Sequence, residues 1–198
     1  MALPADRELF RISVVPNAYE NREYYLVVDN QSMVVLMDLQ REQDFANIRG
    51  CELWCMVRNA NNQGPPEVLL YNVTNMHRPI RLDMGERDLN IRVSNPGEVP
   101  TNWRIHQVMN DNPLDNGIRY YIECGHTGLI WKALRTIEHD LTITLVQRPP
   151  EDDQQVVVIP DVSMCRWKLV PAPPGAEGGG APGDHPDDGD EDGRSRSK

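Results

Sequence analysis

Cys51 and Cys55 stand four positions apart, a spacing that metal sites use, and they are the first place to look for chemistry. Between them lie Glu52, Leu53 and Trp54, and no histidine is near enough in the chain to complete a ligand set, so the pair reads as small core residues. His77, His106, His126, His139 and His185 are scattered and none falls in a zinc-binding or metalloprotease pattern. No metal and no cofactor are expected. Nucleophilic catalysis has no better footing, because the chain contains neither a Gly-x-Ser-x-Gly elbow nor a Gly-rich phosphate loop. Asp152 and Asp153 form a carboxylate pair, but in a Pro-flanked polar insertion where solvation keeps a carboxyl at its ordinary pKa. The expectation is a protein that binds rather than one that catalyses.

Binding residues belong on loops held by a rigid frame. Three connections rich in Asn, Asp, Gly and Pro qualify: residues 16–23, 75–79 and 110–117. The candidate contacts are Asn75, Met76, His77 and Arg78 in the second, and Asn17, Ala18, Tyr19 and Glu20 in the first.

The frame that must carry them is all-β. Short runs of β-branched and aromatic residues recur over residues 9–15, 24–28, 33–37, 68–73, 89–93, 119–122 and 141–146, each bounded by turn formers. Residues 38–48 are the one stretch with any helical character. These strands fall into three copies of one unit. Trp54-Cys55-Met56, Trp103-Arg104-Ile105 and Trp167-Lys168-Leu169 each close a unit with Trp, any residue and a large apolar residue. Phe10-Arg11-Ile12, Tyr71-Asn72-Val73 and Tyr120-Tyr121-Ile122 open them. A unit of about four strands cannot bury its own apolar face, so three of them must close around a shared interior. That arithmetic predicts a β-trefoil over residues 1–172, with the three tryptophans inside.

Residues 173–198 change character to Pro, Gly and Asp, with too little apolar surface to offset chain entropy, and are expected to be a disordered acidic tail. The chain carries a formal charge of -10, and most of the excess remains in the body. That balance argues against a nucleic-acid partner, whose phosphates need clustered Lys and Arg. The start of the chain lacks a basic, apolar leader and no apolar run reaches membrane-spanning length, so no membrane partner and a cytoplasmic location are expected. In that compartment the four cysteines stay reduced, and the sequons Asn30-Gln31-Ser32 and Asn72-Val73-Thr74 are coincidental.

The closing segment, residues 156–169 with its Val-rich run, Pro160 and Arg166-Trp167-Lys168-Leu169, resembles that of the fungal β-trefoil protease inhibitors, the mycocypins and the related fungal serine-protease inhibitors. Phe10-Arg11-Ile12 and the three Trp closures agree with it. The resemblance implies reversible blocking of a peptidase by loops, with a cysteine peptidase as the favoured partner. It implies that residues 16–23 and 41–50 obstruct papain-type enzymes, and that Asn75 occupies a legumain-type enzyme that cleaves after Asn. Arg78 is followed by Pro79, a poor geometry for a trypsin-type cut. Asp29-Asn30-Gln31-Ser32 stands where the serine-protease inhibitors carry a basic residue. The competing resemblance is to ricin-like trefoil lectins, with carbohydrate as partner; these place Gln two residues before the closing Trp, where this chain has Glu52, Thr101 and Cys165.

Overall fold

The computed structural model describes residues 3–15, 22–38, 51–59, 66–75, 78–84, 89–108, 118–135, 141–148 and 165–176. Among them are twelve strands: β1 Phe10–Val14, β2 Tyr24–Val28, β3 Val34–Met37, β4 Trp54–Arg58, β5 Val68–Asn72, β6 Ile80–Met84, β7 Leu89–Val93, β8 Trp103–Val108, β9 Arg119–Cys124, β10 Ile130–Arg135, β11 Leu141–Val146 and β12 Lys168–Pro171. Every pairing is antiparallel.

Six strands form a closed ring, β1–β4–β5–β8–β9–β12 and back to β1. The β9–β12 join is a bridge in which Tyr120 and Trp167 exchange both backbone hydrogen bonds at 2.9 Å. Closure satisfies the edge groups that an open sheet would leave to another chain. The other six strands are the hairpins β2–β3, β6–β7 and β10–β11, which lean together through β3, β7 and β11.

One cross-strand pairing recurs three times. Phe10 faces Trp54, Val68 faces Trp103 and Tyr120 faces Trp167. All three tryptophans are fully buried in a single core with Ile12, Leu70 and Ile122. Trp131 on β10 joins them, packing edge-on to Trp103 with ring centroids 5.0 Å apart and to Trp167 at 5.8 Å, the arrangement that ring quadrupoles favour. Two repeats tie the closing indole to their own hairpin: Trp54 Nε1 donates to the Leu26 carbonyl at 2.9 Å and Trp167 Nε1 to that of Trp131 at 3.2 Å.

The opening of the second unit differs from the expected one. Val68-Leu69-Leu70 is the counterpart of Phe10-Arg11-Ile12, not Tyr71-Asn72-Val73. The displacement is three residues. Because strand side chains alternate faces, an odd displacement turns Tyr71 to the half-exposed side and Asn72 inward. The helical stretch expected over residues 38–48 lies outside the described residues apart from Asp38, and the acidic tail does so from residue 177.

Ion pairs brace the outer wall. Arg104 reaches Glu67 at 2.7 Å and Glu123 at 3.2 Å, tying the approach to β5 to β8 and β9. On the β6–β7 hairpin Arg81 and Arg92 are cross-strand partners, and like charges in that position repel. Glu98 answers both, with a bidentate grip on Arg92 at 2.8 and 2.9 Å and a contact to Arg81 at 3.6 Å. These hydrogen bonds from Arg92, helped by the Asn95 amide, hold the Glu98 carboxyl down at about 2.

Candidate functional site

The loop between β5 and β6 is built from the core outward. Asn72, the last residue of β5, is fully buried, and its side chain is saturated. Its Nδ2 donates to the carbonyls of Cys51 at 2.6 Å and Leu53 at 3.1 Å. Its Oδ1 accepts from the Thr74 amide at 3.2 Å and from the Thr74 hydroxyl. A carboxamide has two N–H donors and two lone pairs on oxygen, and all four are used. Val73–Asn75 then form one turn of 3-10 helix, whose first amide donates to the Leu53 carbonyl at 2.9 Å.

Asn75 follows directly. Its Nδ2 donates to Thr74 Oγ1 at 3.0 Å, its Oδ1 accepts from Arg78 Nη2 at 3.3 Å, and its carbonyl accepts from the Arg78 amide at 2.8 Å. The loop leaves through Pro79, which bridges to Tyr71 and accepts a hydrogen bond from the Ser94 amide at 2.9 Å. Thus Asn75 and Arg78, two of the four contacts expected here, stand together at the surface on a loop fastened at both roots. Met76 and His77 lie outside the described residues.

Cys51 lies beside this loop. Burial first, and then the Glu52 carboxylate, push its thiol up, against a hydrogen bond with Thr74 that pulls it down. Burial pushes the Cys55 thiol up further, to about 11. Burial thus favours the protonated form of both thiols. Among the described residues no group of three His, Cys, Asp or Glu side chains could hold a metal ion, and no helix is long and apolar enough to cross a membrane.

The other expected contacts, Asn17, Ala18, Tyr19 and Glu20, lie outside the described residues, as do residues 41–50 and 110–117. The exit of the first loop is described. Glu23 accepts from Ser13 Oγ at 2.7 Å and from the Tyr25 hydroxyl at 2.9 Å, with Lys168 Nζ 3.7 Å away. Burial alone would raise its carboxyl, but those two hydrogen bonds and the Lys168 charge hold it below the ordinary carboxylate value. Burial, reinforced by Glu23, pushes the Tyr25 phenol up to about 12.

The positions two before each closing Trp are buried. Glu52 is buried and paired with Arg11 at 3.1 Å, and Thr101 is buried and accepts from the Leu82 amide at 2.9 Å. Cys165 is buried against Tyr121 and Ile130. Two shallow depressions mark the described surface. One of about 120 Å³ lies over Met56 and Val68; the other, of about 340 Å³, lies between Arg81, Asp83, Val99 and His126. Neither includes the β5–β6 loop.

Asn72 and Thr74 are the site residues that pattern reading missed. Their signal was the spacing Asn-x-Thr itself, which places two short polar side chains where they can bond each other and the local backbone.

No protein-family model matches the chain, and no curated protein matches it. Solved structures do. A lectin from Polyporus squamosus, bound to the human-type influenza-binding epitope Neu5Aca2-6Galb1-4GlcNAc, superposes with a TM-score of 0.53 at 14% identity over 83% of this chain. A protein described as the BEL beta-trefoil superposes at 0.54 with 10% identity, over 86% of this chain and 97% of its own. The fold is a β-trefoil. A tryptophan-to-alanine mutant of HCR/D agrees, at 0.55 and 12% identity over 85% of this chain. The trefoil spans 49% of the Polyporus lectin chain and 42% of the HCR/D chain, about half or less of each. At these identities the likeness concerns architecture, and function has to be argued from the trefoil's own loops.

Proposed function

We propose that this trefoil is a peptidase inhibitor of the mycocypin-like kind, in which the β5–β6 loop presents Asn75 to a cysteine peptidase that cleaves after Asn. The loop ending at Glu23 is assigned in the same reading to papain-type enzymes. The protein binds and blocks; it performs no chemistry and needs no cofactor. One observation carries the reading: Asn75 sits at the surface of a short loop whose two ends are hydrogen-bonded to the barrel. A residue whose loop is anchored at both ends loses less conformational entropy on docking, which is how a small contact gains affinity. The Asn75 carboxamide is occupied by Thr74 and Arg78 in the free protein. A specificity pocket exchanges those two bonds for its own.

Carbohydrate binding is the competing reading, favoured by the lectin among the structural neighbours. Against it stand Glu52, Thr101 and Cys165, all buried where ricin-like lectins carry the Gln of their repeat. Titration against a panel of papain-type, legumain-type and trypsin-type peptidases separates the two. The expected result is inhibition of cysteine peptidases, with Asn75→Ala losing legumain-type inhibition and keeping papain-type inhibition. No inhibition at micromolar protein, together with binding on a glycan array, would transfer the function to carbohydrate.

A further inference from the structure

One interior position of the ring strands is apolar in two repeats and a carboxamide in the third. Asn72 lies opposite Trp54 and Cys124 opposite Trp103, while the β12–β1 register, which pairs Ser13 with Lys168, continues to Val14 opposite Trp167. Val14, Asn72 and Cys124 are therefore equivalents, each fully buried. Two are apolar, as a core requires. The third is a carboxamide, which is costly to bury unless every polar atom finds a partner. Its partners are the Cys51 and Leu53 carbonyls of the segment leading into β4, and the Thr74 amide and hydroxyl of the β5–β6 loop, so Asn72 ties that loop to the neighbouring strand. Thr74 passes the restraint on by accepting from Asn75 Nδ2. The symmetry of the barrel is broken under the one loop that displays Asn75, and local rules give way in this fashion at functional sites.

We infer that Asn72 and Thr74 are positioning residues for the peptidase contact, an inference that rests on Asn75 being that contact. The chain Asn72 to Thr74 to Asn75 fixes the Asn75 side chain before docking. It also opposes the distortion needed for hydrolysis, in which water adds across the Asn75–Met76 peptide bond to leave a carboxylate on Asn75 and an amine on Met76. Without the chain, the same loop becomes a substrate.

Thr74 is exposed, so its replacement tests the idea without opening the core. Thr74→Val removes the hydroxyl at nearly constant shape, and Thr74→Ser restores it. With a cysteine peptidase that cleaves after Asn, the Val variant is expected to inhibit about tenfold more weakly or worse, since a floppier loop costs more to order. Mass spectrometry should find it cut after Asn75, while the Ser variant inhibits as the unaltered chain does and stays whole. In the free protein the Arg78 amide should exchange faster in the Val variant than in the Ser variant. Full inhibition by an uncut Val variant, or unchanged Arg78 exchange, overturns the positioning role and leaves the Asn75 contact standing. Failure of the unaltered chain to inhibit removes the contact itself, and the positioning role with it.

Discussion

Asn72 fills a core position that Val14 and Cys124 occupy with apolar atoms, so its replacement separates packing from hydrogen bonding. Asn72→Val supplies the residue type of the first repeat but removes the side-chain amide that the carbonyls of Cys51 and Leu53 accept from in addition to the Val28 and Val73 amides. The expected loss is about 1–3 kcal/mol, for two lost hydrogen bonds at about 0.5–1.5 kcal/mol each. It should appear as a lower urea midpoint at unchanged slope; a midpoint that rises would show the amide to be a net burden to the fold. The Asn-x-Thr spacing was visible in the sequence, but its meaning depends on which face Asn72 takes, and register decides that. Three of the four tryptophans were legible because they recur before an apolar residue. Trp131 was not, since it sits in a hairpin strand outside that pattern yet packs between two of the others.

Strands with β-branched or aromatic runs were legible as elements: β2, β7 and β11 match the expected residues end to end. Elements that mix strand and helix formers were not. β10 reads Ile-Trp-Lys-Ala-Leu-Arg, and its pairing with β11 and β9 makes it a strand. β6 alternates Ile80, Leu82 and Met84 with charge, directly after Pro79, and its partner β7 supplies the missing context. The start of β2 gives this scale its test. Tyr25 prefers its neutral form in the fold, so its contribution to stability is complete below the ordinary tyrosine value of 10.0 and is lost as pH rises from there toward about 12. Glu23 runs the other way: its contribution is complete above the ordinary value of 4.5 and is lost as pH falls through its lowered folded value. Tyr25→Phe is therefore expected to flatten the fall of the thermal midpoint between pH 10 and 12 without abolishing it, because Tyr71 and Tyr120 are also shifted upward by burial. An identical alkaline slope in the variant would mean that the Glu23–Tyr25 bond does not hold the start of β2.

At the scale of the molecule, a sixfold ring of strands and three hairpins give three equivalent sets of connections, and chemistry has to distinguish among them. The repeat arithmetic made this architecture readable before any coordinate, because three units that each lack a buried face have few ways to close. The loops were readable as turns, from their Asn, Gly and Pro content, and Asn75 to Arg78 and Asn17 to Glu20 were expected as contacts, but what supports them was not readable. That support depends on what lies beneath a loop, and the bonds from Asn72 to the Cys51 and Leu53 carbonyls are a product of the closed barrel. The most direct measurement of the central claim is amide hydrogen exchange across the whole trefoil, free and bound to a cysteine peptidase that cleaves after Asn. Slower exchange on binding is predicted for Thr74, Asn75 and Arg78. Unchanged exchange there, with protection instead around Arg81, Asp83 and His126, would contradict it.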